Sequence, residues 1–188
     1  LTGIFVGSGF HLKGLPKTLA GFAAASKPGP STGLQLIVAG RDRPALFRHM
    51  AARLGIADSV RFIGATPAIE HFYAAADFFI LPSFYDPCAL VTLEALAAGL
   101  PVITSRYNGA HELIEHGHQG WIVDDPRDAA AIAAHIRAFT DKDRLAAMKA
   151  EARARALEHT WDQKFGRIEE IMQEVAAGKI KSKERIVT

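Results

Sequence analysis

The chain has 188 residues, 49% of them hydrophobic and 22% charged, with 16 glycines; this is the composition of one globular domain and excludes a disordered or collagen-like chain. Twenty-two Lys and Arg against 20 Asp and Glu leave a formal charge of +2 without dense basic clustering, so no nucleic-acid partner is expected. The single cysteine can form neither an internal disulfide nor a cysteine-based zinc site, and there is neither a charged leader nor an apolar run of about 20 residues, so the expected location is the cytoplasm.

Short β-branched or aromatic runs predict strands over 4–6, 34–38, 60–63, 78–81, 102–104 and 121–123. Their nearly continuous apolarity marks strands buried on both faces. Between them, 15–25, 45–54, 66–75 and 89–98 are long enough for helices and are closed by Gly, Pro or polar residues. This alternation predicts an α/β Rossmann-like domain, a parallel sheet flanked by helices. Beyond Asp125 the strands stop, and 129–139, 143–157 and 161–175 read as C-terminal helices. We expect one domain over 1–176 and a charged tail over 177–188. The chain does not begin with Met, and an upstream partner domain is expected.

Ligands of open parallel sheets bind beyond the carboxyl ends of the strands, which singles out three loops. The first runs Gly7-Ser8-Gly9-Phe10-His11-Leu12-Lys13-Gly14. Its glycines and a lysine just before a helix suit a diphosphate, but the spacing is neither G-x-G-x-x-G nor a Walker A loop, and a glycine turn with a solvated lysine explains it as well. The second is Gly64-Ala65-Thr66-Pro67, where Thr66 reads as a helix cap with Pro67 at the first helical position, and where exposed backbone groups suit a nucleobase. The third follows 78–81. Cys88 and Ala89 are small enough to leave the first amides of the next helix open to an anion or a sugar hydroxyl, and Asp86 and Glu94 flank that helix start with seven residues between them. A helix carboxylate such as Glu94 also reads as a plain solvated charge.

At this third loop the pattern L-P-S-x-x-D, seven residues, then E-A-x-A-x-G-x-P-V resembles the acidic E-x7-E signature of retaining glycosyltransferases of family 4, which have the GT-B fold. F-V-G-x-x-x-x-x-K-G at 5–14, V-x-F-x-G at 60–64, A-D-x-x-x-L-P-S at 76–83 and N-G-x-x-E-L-I-x-x-G-x-x-G-x-x-V at 108–123 match that family's C-terminal domain in order. The details look most like bacterial lipopolysaccharide-core glucosyltransferases.

The resemblance implies that this chain is the donor half of a hexosyltransferase, with an N-terminal domain holding a glycan or lipid-linked acceptor. The donor would be a nucleotide diphosphate sugar, UDP-sugar favoured, with no metal and no further cofactor. By position, Gly7, Ser8 and Lys13 meet the diphosphate, and Lys13 stabilises its departure. Gly64, Ala65 and Thr66 take the base, while Cys88, Ala89, Leu90 and Val91 offer amides to sugar and diphosphate. Asp86 touches the transferred sugar, and Glu94 holds the ribose hydroxyls. Two departures stand out: Asp86 is one methylene shorter than the usual Glu, and Ser8 replaces a common Arg, leaving the second cation to His11 or to the upstream chain. These departures keep a non-catalytic nucleotide-binding module in view, beside a GT-B-fold epimerase.

Three further patterns have structural explanations. His111 and His116 lie five apart and cannot chelate from one helix face, so 111–117 reads as a capped surface helix stopped by Gly117. Trp161, Phe165, Ile168, Ile171, Met172 and Val175 recur at helical spacing and read as core packing, with part of that face expected to be exposed where, in the family, the last helix crosses to the other domain. Lys179, Lys181, Lys183 and Arg185 read as a solvated tail, with peripheral membrane contact as the alternative.

Overall fold

The computed structural model describes residues 1–26 and 33–178. Six strands, β1 (Thr2–Val6), β2 (Gln35–Ala39), β3 (Val60–Gly64), β4 (Phe78–Leu81), β5 (Val102–Ser105) and β6 (Gly120–Val123), form one sheet in the order β3-β2-β1-β4-β5-β6. Every pairing is parallel. All residues of β4 and β5 are buried, as expected of strands covered on both faces. The helices are α1 (Leu15–Ala25), α2 (Ala45–Arg53), α3 (Ile69–Ala74), α4 (Leu90–Ala97), α5 (Ala129–Ala138), α6 (Lys142–Leu157) and α7 (Trp161–Ala176). α1 packs against α2 and α5, and α6 packs against α4. Among the described residues, no helix is long and apolar enough to cross a membrane.

The strand order reverses between β1 and β4. The chain runs outward from β1 to β3 on one side, then returns to β4 and runs outward to β6 on the other. Loops leaving β1 and β4 must diverge at that point, and the resulting crevice is where open α/β sheets bind ligands.

Three local expectations are corrected. Thr66 does not cap the third helix. Its Oγ1 accepts from the Ala68 amide two residues on (3.2 Å), and α3 starts at Ile69 with Ala68 in the cap position and no side-chain cap. The short threonine turn competes for backbone that a longer helix would use. The segment 111–117 is not a capped helix. A 3-10 turn over Gly109–Leu113, capped by Asn108, ends at Ile114 in extended backbone, and the Gly117 amide donates to the Gly120 carbonyl (2.8 Å), turning the chain into β6 too soon for a helix. Its histidines go to separate partners: His111 to the Asn108 carbonyl, His116 to the Ile122 amide, His118 to Glu151.

The third correction concerns α7. Its apolar stripe packs no core: Trp161 is 63% exposed and Met172 66%, and Phe165, Ile168, Ile171 and Val175 are exposed as well. The helix buries none of its residues and is held at its start by a capping box of Thr160 and Gln163. Periodicity identified an amphipathic face correctly, but it carries no information on what covers that face. The basic cluster at 179–185 lies outside the described residues.

Two titrating groups couple this packing to pH. Burial opposes the charge on Asp77, yet hydrogen bonds from Lys149 and the Thr2 amide outweigh it and hold the carboxyl below its usual value of 3.8. Burial, then neighbouring His116, pushes His135 below its ordinary 6.5; its ring stacks on Trp121, linking α5 to β6. A depressed histidine means that the unfolded chain binds protons more readily, so stability falls as pH drops through 6.5 toward the folded value. The Asp77 contribution is complete above 3.8 and disappears only as pH falls through the lower folded value. The urea midpoint is therefore expected to be lower at about pH 5.5 than at about pH 7.5, and His135→Gln should flatten that dependence. Equal dependence in the variant would assign the effect to other groups.

Candidate functional site

The loops after β1, β2 and β3 are laced side by side at the carboxyl edge of the sheet. The Gly7 amide donates to the Ala39 carbonyl (3.0 Å), and the Gly40 amide to the Gly64 carbonyl (3.0 Å). Gly7 thus spends its N–H on the sheet ladder. Beyond it, Asp42 accepts from the amides of Gly9 (2.7 Å) and Phe10 (3.3 Å), which fixes the loop and occupies two donors that an anion would otherwise use. Ser8 is exposed, with its Oγ accepting from the Arg41 amide (3.3 Å). His11 packs its ring against Phe47. The amides of Ser8, Ala65 and Thr66 have no partner among the described residues.

Gly14 ends the first loop and starts α1 at φ 82°, a backbone region that favours glycine. A Cβ there would also overlap the Pro82 carbonyl. This close approach brings the β1 loop against the end of β4 and carries Lys13 across the reversal point. There, Lys13 Nζ forms an ion pair with Asp86 Oδ2, the two side chains being 21% and 9% exposed. The sequence nominated both residues separately, and the fold joins them.

Asp86 is held by its backbone. Its amide donates to the Tyr107 carbonyl (2.9 Å), and its carbonyl accepts from the Gly109 amide (2.9 Å). Gly109 approaches so closely that a Cβ would overlap the Pro87 carbonyl. Between these two contacts sits Asn108, fully buried. Its Nδ2 donates to Thr92 Oγ1 (3.1 Å) and Thr104 Oγ1 (3.0 Å), and its Oδ1 accepts from the amides of Ala89 (3.2 Å) and Ala110 (3.1 Å). One side chain thus ties the start of α4 to the loop after β5, with its hydrogen-bonding capacity filled.

α4 begins at Leu90 with Ala89 in the cap position and no side-chain cap. Ala89's amide is taken by Asn108, but those of Cys88, Leu90 and Val91 have no partner among the described residues. Two uncapped first-turn amides at the positive end of a helix suit an anion, and they follow Asp86 by four and five residues in the chain. Cys88 is exposed beside them. Glu94, one turn into α4, is also exposed and accepts from the hydroxyl of Tyr73 at 3.0 Å. Cys88, Leu90 and Glu94 further line an open groove of about 580 Å³ that extends past Arg155 to Trp161.

Sequence reasoning missed Asn108, Tyr73 and Asp42 as parts of this site. Asn108 stands at the head of a quoted motif and Tyr73 among the apolar residues before β4, so both had a signal without a role. Asp42 lies in a polar turn, Arg41-Asp42-Arg43, that looks like any solvated loop.

Comparison with known proteins shows the family and the fold. Residues 2–155 match the family model described as glycosyl transferases group 1. The chain is 36% identical over 183 residues to D-inositol 3-phosphate glycosyltransferase of Thermobispora bispora, covering 91% of this chain but 42% of that protein. The crystal structure of WaaG, a glycosyltransferase involved in lipopolysaccharide biosynthesis, superposes with a TM-score of 0.77 at 27% identity, over 85% of this chain and 43% of that one. The HepE structure from Anabaena in complex with UDP-glucose superposes with a TM-score of 0.70 at 25% identity, over 84% of this chain and 44% of that one. The chain therefore spans less than half the length of these relatives. With the parallel sheet, the reversal-point crevice and the matched motifs all in agreement, the chain belongs to glycosyl transferases group 1, as a C-terminal domain of the GT-B fold.

Proposed function

We propose that this domain, over 1–176, binds the nucleotide diphosphate sugar of a retaining hexosyltransferase, and that transfer is completed with an acceptor domain N-terminal to it in a longer chain. The carrying observation is the meeting of Lys13 and Asp86 beside the unpaired amides of α4. Breaking the bond between sugar and diphosphate builds negative charge on the leaving phosphate and positive character on the sugar ring. Fixed donors aimed at the first stabilise the transition state more than the ground state, and so does a carboxylate near the second. Lys13 and the amides of Cys88, Leu90 and Val91 take the first role, with the Ser8 amide, and Asp86 takes the second. No covalent nucleophile and no metal enter this scheme.

In the same reading the unpaired amides of Ala65 and Thr66, with Gly64, receive the base, and Glu94 receives the ribose hydroxyls. Ala89 positions the sugar end of the α4 amides through its bond to Asn108. UDP-glucose in the HepE complex supports a UDP-sugar donor, and the likeness to WaaG supports a glycan or lipid-linked acceptor of the lipopolysaccharide type, reached from the cytoplasmic side.

Calorimetric titration with UDP, GDP, ADP and their sugars, with and without EDTA, tests this directly. Binding of UDP and UDP-sugar with dissociation constants below millimolar, unchanged by EDTA, is expected. A folded sample that takes up none of these nucleotides at millimolar concentration would sink the donor-binding assignment.

A further inference from the structure

We propose that Tyr73 is a positioning residue that orients the Glu94 carboxylate and thereby sets the site's preference for a ribonucleotide over its 2′-deoxy analogue; this rests on the donor-binding reading above. Glu94 is an exposed side chain on a helix, and left alone such a carboxylate samples many rotamers. Tyr73 is the opposite. It is 3% exposed, its ring is packed 6.3 Å from the Phe79 ring of β4, and only two torsions place its hydroxyl. That hydroxyl donates to Glu94 Oε2 at 3.0 Å and lies 3.4 Å from the Val91 carbonyl, so it is anchored to the first turn of α4 as well.

Burial, reinforced by the Glu94 charge and hydrogen bond, drives the Tyr73 pKa far above its ordinary value. The phenol therefore stays a donor at every working pH. With Oε2 engaged, Oε1 has no partner among the described residues and is left for a ligand hydroxyl beside the groove that Glu94 lines. An ionised carboxylate only accepts hydrogen bonds, and a ribose diol supplies two donors. A site oriented to bind a hydroxyl discriminates against the analogue that lacks it far more sharply than a mobile one.

The test is titration of the 188-residue chain with UDP and with 2′-deoxy-UDP. The unsubstituted chain is expected to favour UDP by about tenfold or more, the size of a hydrogen bond to a charged group. Tyr73→Phe keeps the packed ring and should cut that preference to about threefold or less, with 2′-deoxy-UDP affinity nearly unchanged. A role confined to packing would weaken both nucleotides alike. Circular dichroism reads folding, and Tyr73→Leu provides the same comparison if the phenylalanine variant does not fold. An undiminished preference for UDP in a folded variant overturns the proposal while leaving the donor-binding reading standing. Failure of the unsubstituted chain to bind UDP, GDP or ADP overturns that reading and this proposal together.

Discussion

Lys13→Ala is expected to weaken UDP binding by more than tenfold, about 1.4 kcal/mol or more, and to destabilise the fold at the same time. The two effects have one origin. The Lys13 ammonium neutralises Asp86, whose side chain is only 9% exposed and has no other hydrogen-bond partner among the described residues. Removing the ammonium strands that carboxylate, which for a partly buried pair costs about 1–3 kcal/mol. Asp86→Asn separates the contributions. It removes the charge that holds Lys13, so the ammonium is free for a diphosphate, and UDP should bind as tightly as before or more so while transfer in the full-length enzyme is lost. UDP affinity in Lys13→Ala matching that of the unsubstituted chain would exclude Lys13 from the phosphate site. An affinity drop in Asp86→Asn as large as in Lys13→Ala would show that the pair acts only as a structural clamp.

The second large effect is expected at Asn108. Asn108→Ala removes four hydrogen bonds from a fully buried position and leaves the Ala89 and Ala110 amides without their acceptor. At roughly 1 kcal/mol for each net bond, and more where a buried group is left unsatisfied, the loss is about 4 kcal/mol or more, read as a fall in the urea midpoint. Because Ala89 caps α4, the same substitution loosens the helix start that carries the unpaired Leu90 and Val91 amides, so UDP binding should fall even under conditions where the variant is still folded. A loss of less than about 1 kcal/mol would show that water replaces the side chain, and that the network is not the device that holds α4 in place.

Six strands and the parallel sheet were legible because a strand covered on both faces is mostly apolar, and the run Phe78-Phe79-Ile80-Leu81 is wholly so. α1 was legible to the residue, since Gly14, Leu15 and Pro16 mark its start by backbone geometry alone. Where the sequence misled, two local solutions competed. Thr66 serves a helix cap and a two-residue turn equally well, and the turn prevailed because the chain needed to leave β3 before coiling. The segment from Gly109 was committed by contacts with Asp86 and Pro87, more than twenty residues upstream, that no local pattern encodes.

The site shows the same division. Lys13, Asp86 and Glu94 were visible as charged residues at loop and helix starts, because charge at a strand's carboxyl end is uncommon enough to be noticed. Their mutual arrangement was not visible. The ion pair follows from strand order, and strand order from where the chain turns back at β4. Tyr73 was hidden for a further reason: an aromatic residue before a buried strand is read as packing, and it does pack, but its single polar atom also reaches Glu94.

The exposed stripe of α7 bears on cooperativity. A sixteen-residue helix near the nucleation limit, with no buried residue, shares almost none of its free energy with the sheet. Its melting and the melting of the sheet are then separate equilibria, the first close to zero in free energy and the second carrying the full stability of the domain. Helical signal and core signal will not trace one transition, so a single unfolding free energy describes the sheet and the helices packed on it but not the last helix. Covering the stripe would join the two equilibria, and α7 would become as stable as the surface that receives it.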